Sequence, residues 1–380
     1  MWRLEWLPLH ALNKKLSTLN TVSRFTLFSR GSVWLHPNMF ARLLFIFASF
    51  CASLWADATI LGQGEFRYRV VSGWGREALA QVQVKNGHSV AVASVGRLFF
   101  LTDDARNNVV ILDAKTGALI KHWTARMPGA HGMTLVKENG REVLFITDTA
   151  LHEVRKLTLD GEELARYPWP EKSGLYAKAE EYRPSKILHH PDGRLWIFDG
   201  YGKDYIHAYA ADGTWIRSWG GNLGDGENQL HHWGPHGGGL DLRDPAAPKM
   251  VIAMSDQQEV KRFTLDGQFI DKLPFPGGNP RDFVIMGEHS LIPHLGDQWP
   301  KDKNAPGFIS IVDHDFKIVS NIGAPPADYQ GGVLQPMRSD GKTFIHPHGV
   351  TADASGNLFV AQFASPAAPL LKLERLKGPQ

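Results

Sequence analysis

One cysteine in 380 residues, a formal charge of +2 and the absence of any apolar run long enough to span a bilayer set the first limits on this chain. A lone cysteine cannot form an internal disulfide or a cysteine-based zinc site. The near balance of 41 Lys+Arg against 39 Asp+Glu, with no basic cluster interleaved with aromatics, argues against nucleic-acid binding. CxxC, HExxH, GxSxG and P-loop motifs are missing, and Gly73-Trp-Gly75-Arg-Glu-Ala78 mimics a dinucleotide fingerprint without the βαβ context that gives it meaning. Helical periodicity is almost absent. What remains is an ordinary globular balance, 43% hydrophobic and 21% charged, which excludes disorder and collagen-like repeats.

The first 56 residues differ from the rest. They hold Arg3, Lys14, Lys15, Arg24, Arg30 and Arg42 against the single acid Glu5, and end in the apolar run Leu43 to Ala52. A positive segment Met39 to Arg42, a short apolar segment and small Ala56 before Asp57 read as a secretory signal peptide starting at Met39 and cleaved after Ala56. Residues 1–38 are then either upstream sequence or a long basic extension. Cys51 does not resemble a lipoprotein cysteine, because bulky Phe50 precedes it. Export to the periplasm or the extracellular space follows, with no membrane span in residues 57–380. Taking six basic and one acidic residue from the totals leaves 35 Lys+Arg against 38 Asp+Glu, a formal charge of −3 and no cysteine. Residues 57–380 are long enough to be stabilised by burial alone.

Those residues repeat. Val154-Arg-Lys-Leu-Thr-Leu-Asp160-Gly161, Ile206-His-Ala-Tyr-Ala-Ala-Asp212-Gly213 and Val260-Lys-Arg-Phe-Thr-Leu-Asp266-Gly267 are three versions of one strand running into an Asp-Gly hairpin turn. Upstream of each lies an apolar strand ending in an acid: Val143 to Asp148, Leu195 to Asp199, and Met250 to Asp256. Fainter copies pair Leu98 to Asp103 with Val109 to Asp113, Ser290 to Pro293 with Phe308 to Val312, and Asn357 to Ala361 with Leu370 to Leu373. Repeats of about 40 to 50 residues made of short antiparallel strands predict an all-β fold, a six-bladed β-propeller spanning residues 57–380. Phe66 to Val71 is expected to supply the outer strand that closes the last blade. The recurring acids Asp103, Asp148, Asp199 and Asp256 are expected to serve turn hydrogen bonding.

Aligning the six units on their first strand brings His88, His131, Ser185, His236, Arg281 and His348 into register. Alternate blades of a six-fold ring lie about 120° apart, so His131, His236 and His348 would converge on the axis as three neutral nitrogens do around a zinc with an open position. For any one His-Gly pair, a turn residue with a satisfied side chain is the simpler account. Three in alternate blades favour a metal, because His is the commonest ligand for borderline metals. His346 is a further candidate ligand only if Pro347 is extended. The pairs His189-His190 and His231-His232 fall outside the register and are expected in loops.

These features resemble NHL-type six-bladed propellers, and within them the peptidyl-α-hydroxyglycine lyases, also called peptidylamidoglycolate lyases. The resemblance covers most of residues 88–375. It is carried by Ile146 to Leu157, Asp199-Gly-Tyr201-Gly with Trp219-Gly220, Pro235-His236, Gly296-Asp-Gln298 and Pro347-His348. It implies zinc or another divalent metal on His131, His236 and His348, and Tyr201 as the base. The implied reaction is cleavage of a carbinolamide C–N bond in a small-molecule or peptide substrate at the pore of a monomer. The family's substrate-handling arginines fall on Asp103 and Gln257, with Arg106 and Arg281 close enough to replace them, which makes Arg281 the second catalytic candidate. The family's methionine before the third histidine is His346 and its loop cysteine is Gly202. An acid of its structural calcium site is Gly349, so that calcium is not expected. A non-enzymatic propeller that binds or scaffolds through the same pore is the alternative. A calcium-dependent lactonase propeller would need Glu, Asn and Asp where this pore has His.

Overall fold

A computed structural model describes residues 59–378 apart from 222–229, 231–232, 297–301 and 303. The expected leader, His231-His232 and part of Gly296-Asp-Gln298 lie outside the described residues. The chain forms six antiparallel sheets of four or more strands in succession, each strand pairing with the one before it. The first runs Gly87–Val92, Arg97–Thr102, Val109–Asp113 and Leu119–Trp123. The next four open on Ala130–Glu138, Lys186–His189, Pro235–Asp241 and Val284–Met286, and the sixth opens on Pro347–Ala352. This is the six-bladed β-propeller that the repeats predict. Among the described residues no helix is long and apolar enough to cross a membrane.

Six apolar clusters sit one at each junction between neighbouring blades. In the first blade, Phe99 and Leu101 face Met133, Leu144 and Ile146 of the second. Their neighbours Leu98 and Phe100 face Phe359 and Leu370 of the sixth. Successive side chains of a strand point to opposite faces, so a sheet buried on both faces reads as an unbroken apolar run, which is why Leu98-Phe-Phe-Leu does not alternate. Each of these four residues is fully buried.

The ring closes through the N-terminal side, as expected. Phe66–Val70 pairs antiparallel with Leu370–Leu376, bringing Arg67 opposite Leu376 and Val70 opposite Leu373. Leu61–Gln63 adds a fifth strand outside it, and Gln63 N–H donates to Ser320 Oγ of the fifth blade at 2.8 Å. Closure completes the last blade, and each blade keeps only a short outer edge. Joining strands distant in sequence also makes the last blade a clamp on the whole ring.

Two expectations change. His189 ends the strand Lys186–His189 instead of lying in a loop, and its Nε2 sits 2.9 Å from Glu138 Oε1 of the preceding blade. His346 takes a left-handed φ of 47°, so the chain before Pro347 is not extended and the alternation that would align His346 with His348 is broken.

Candidate metal centre

The first strand of each blade runs along the propeller axis, and its opening residue decides what faces the pore. In the first, second, fourth and sixth blades the pairing register slips around that residue: between Gly87 and Ser89, Ala130 and Met133, Pro235 and Gly237, and Pro347 and Gly349. A bulge adds a residue that re-aims a side chain, and here it releases His88, His131, His236 and His348 from the strand alternation. All four are buried.

His131, His236 and His348 form a nearly equilateral triangle, with ring centroids 4.7 to 4.9 Å apart. Each donates its Nδ1–H to the backbone carbonyl of the next blade's opening residue: His131 to Ser185 at 2.9 Å, His236 to Arg281 at 2.8 Å, and His348 to His88 at 2.7 Å. The glycine after each histidine makes that approach possible. A β-carbon on Gly132, Gly237 or Gly349 would stand 2.4, 2.2 or 2.7 Å from the same carbonyl oxygen. The His-Gly pairs legible in the sequence are therefore one device used three times.

Fixing Nδ1 as the donor leaves Nε2 as the lone-pair nitrogen, which is how metal-binding imidazoles are oriented. Burial holds all three rings well below the ordinary histidine pKa, helped by the charge of neighbouring groups including Arg281, so they stay neutral. His236 Nε2 is buried with no hydrogen-bond partner. An unpaired buried lone pair is costly unless an electrophile meets it, so the donor set fits a divalent ion. His88 adds a fourth ring, with centroids 5.0 Å from His131 and 4.9 Å from His348. The ligand atoms of His88, His131 and His348 lie within 4.8 Å of one another, so this buried cluster also could hold a metal.

Tyr201 comes from the loop after the third blade's second strand. Its hydroxyl donates to His131 Nε2 at 3.1 Å, and its ring stands edge-on to His131 and His236. Burial raises its pKa, while Arg281 and Arg183 pull it down. The loop is anchored by Asp199, whose carboxylate accepts the N–H groups of Arg183 and Lys203, each at 2.6 Å. A β-carbon on Gly202 would stand 2.1 Å from that carboxylate. Gly202 thus lets the loop wrap its own anchor.

Arg281 is buried in the fifth blade, and its Nε has no hydrogen-bond partner. Burial lowers its pKa, while Tyr201 and Asp256 raise it. Arg106, the other candidate replacement, faces away: its exposed guanidinium is spent on Asp104 at 2.9 and 2.7 Å. Asp103 sits beside His88 with Oδ2 3.4 Å from Nε2. His346 accepts the Gly296 N–H on its Nδ1. Gln257 is half-buried on the turn after Met254. Asp148 and Asp199 serve backbone hydrogen bonding as expected, Asp148 through the N–H groups of Gly129, Ala150 and Leu151.

Sequence reasoning missed the floor of the site. Lys186 and Asp282 each follow a pore residue, Ser185 and Arg281, and pair across the axis at 2.6 Å. A cavity of about 10 Å³, room for one water or ion, separates this pair from the imidazoles. Beyond it a funnel of about 580 Å³ opens along the same strands. The signal available was position: one residue past the aligned site, blades 3 and 5 carry opposite charges.

No protein-family model and no curated protein matches the sequence. Among solved structures the chain is similar to a streptogramin B lyase at 15% identity, covering 77% of this chain and 94% of that one with a TM-score of 0.49. It is similar to the virginiamycin B lyase of Staphylococcus aureus at 14% identity, covering 76% and 80% with a TM-score of 0.47. A gluconolactonase of Xanthomonas campestris shares 17% identity over 85% of this chain and 92% of that one, with a TM-score of 0.48. At these scores the likeness adds nothing to the reading of the site, which stands on its own residues.

Proposed function

We propose that this chain is a metal-dependent propeller lyase that cleaves the C–N bond of a carbinolamide, with His131, His236 and His348 as ligands and Tyr201 as base. The observation that carries the reading is the threefold Nδ1–H to carbonyl arrangement, which points three neutral lone pairs at one axis beside a tyrosine hydroxyl. Scaffolding alone does not call for such a set. A divalent ion there, zinc being the borderline metal best suited to imidazoles, would polarise the substrate oxygen as a Lewis acid and add positive charge beside Tyr201.

The protein's own residues supply the rest. To act as base, Tyr201 would start as the phenolate, its hydroxyl proton released to solvent when an ion claims the His131 Nε2 to which it donates. Burial opposes that ionisation while Arg281 and Arg183 favour it, and Tyr201 Oη then takes the substrate hydroxyl proton. The oxygen lone pair becomes the second bond of the carbonyl as the C–N bond breaks, and Tyr201 returns the proton to the departing amide nitrogen. Arg281, buried with an unpaired Nε, orients the substrate through a carbonyl or carboxylate oxygen. The buried surroundings exclude water from the proton transfer. Export is part of the same proposal and rests on the composition of residues 1–56.

Metal analysis of the full chain tests the reading first. About one divalent ion per chain is expected, with little retained by His236→Ala; equal and negligible metal in both proteins would end it. Glyoxylate release from a hydroxyglycine peptide then tests the reaction. Tyr201→Phe should lower that rate about 100-fold or more, whereas a binding propeller would be indifferent to the change.

A further inference from the structure

We propose that His88 is a fourth metal donor, acting through Nδ1, and that Asp103 is the outer partner that orients it; the inference rests on the three-histidine reading above. His88 occupies the same bulged position in its blade as the other three imidazoles and is 7% exposed. It stands beside two of them, with its ligand atom and those of His131 and His348 mutually within 4.8 Å. It is therefore part of the same constellation and not a second, separate site.

The chemistry of its two nitrogens supports the role. In the other three rings Nδ1–H is engaged by a backbone carbonyl and Nε2 is left for a ligand. In His88 neither nitrogen is engaged by a carbonyl: both are buried with no hydrogen-bond partner, and Nε2 stands 3.4 Å from Asp103 Oδ2. A carboxylate on one imidazole nitrogen fixes the tautomer, raises the basicity of the other nitrogen and is a recurring companion of metal-binding histidines. Asp103 is itself held in place, accepting Asn86 N–H at 3.1 Å and Asn86 Nδ2–H at 2.8 Å.

A ring that only filled space would not leave two buried nitrogens unpaired beside a carboxylate that Asn86 holds in place. Four imidazole nitrogens with an anionic outer partner bind a divalent ion more strongly than three. The fourth donor also sets how the substrate reaches the ion, since its oxygen must join or replace an imidazole. His88 thereby becomes the residue that tunes metal affinity against access.

The test uses the full chain and its variants His88→Gln, Asp103→Asn and His236→Gln, loaded with zinc alone against a competing chelator and, separately, with cobalt(II) read by visible absorption. The expected result is one ion per wild-type chain, zinc affinity lower by about 10- to 100-fold in Asp103→Asn and by at least that much in His88→Gln, and a changed cobalt spectrum in both. Circular dichroism melts accompany each variant. If His88→Gln does not fold, Asp103→Asn, altered at a partly exposed position, still decides the question. Wild-type affinity and spectrum in both the His88 and Asp103 variants, with loss in His236→Gln, overturn the inference and leave the three-histidine reading intact. A wild-type chain that binds neither ion overturns both.

Discussion

The Tyr176 hydroxyl donates to the Asp199 carboxylate at 2.6 Å, and through that bond the loop bearing Tyr201 is tied to the outer part of its blade. The hydroxyl has one proton, so the 2.7 Å contact with His207 Nε2 runs the other way, from ring N–H to tyrosine oxygen. His207 Nδ1 then accepts from Ser218, 2.7 Å away, and Ser218 accepts from Trp215 Nε1 at 3.2 Å. Every donor in this series points toward Asp199. Burial holds His207 down to about 3, so the ring stays neutral and the direction of the chain is fixed. A carboxylate and a hydrogen-bond relay thus brace the loop.

Replacing Tyr176 with Phe keeps the ring and removes the link. A buried carboxylate oxygen loses one partner and the His207 N–H loses its acceptor, at a cost of about 1–3 kcal/mol. Urea denaturation should show that loss. Metal content should not change, because Tyr176 touches none of the pore imidazoles. A turnover assay should show a fall in rate as Tyr201 loses its fixed position.

Gly237→Ala tests the His-Gly device. The new methyl would sit 2.2 Å from the Arg281 carbonyl oxygen that receives His236 Nδ1–H, and 3.0 Å from Asp282 Oδ1. Backbone atoms cannot yield as a flexible side chain can, so the two blades must part and the His236 bond must lengthen. We expect a loss of about 1–3 kcal/mol in stability together with weaker metal binding. The same change at Gly378, which has no positive φ and where a β-carbon would come no nearer than 3.7 Å to Arg67 Nη2, should alter neither and serves as the control. Unchanged zinc affinity in Gly237→Ala would separate the glycine from the metal site.

The blades were legible because Asp-Gly turns and apolar strands recur whatever the loops do, and the three histidines because a glycine follows each. His88 comes into register but lacks that glycine, and its outer partner Asp103 lies just past the end of the next strand, where spacing gives no warning. Arg106 misled for the opposite reason: it is near the pore in sequence, but Asp104 two residues earlier captures it at the surface. Tyr176 lies between blades, outside any repeat, so only the folded chain reveals what its hydroxyl holds.

His294 offers a pH test away from the pore ligands. It is fully buried, its ring stacks on Phe308 with centroids 4.5 Å apart, and its Nε2–H donates to Ser310 Oγ at 3.1 Å. Burial pushes its pKa down to about 3. The unfolded chain takes up this proton near pH 6.5 and the folded chain does not until about 3, so stability present above 6.5 is lost as the pH falls through that window. From pH 6.5 to 5 the loss amounts to about 2 kcal/mol. Asp199 acts in the opposite sense, since burial raises it to about 6 and the folded chain there holds a proton that the unfolded chain releases. The whole slope therefore mixes signs, and the comparison has to be a difference. His294→Leu removes one proton uptake and leaves the Ser310 to Asn321 hydrogen bond in place. Its stability deficit against the wild type, measured by urea denaturation, should shrink by about 2 kcal/mol between pH 7 and pH 5. A deficit equal at both values would show that His294 takes up its proton in the folded chain as readily as in the unfolded one.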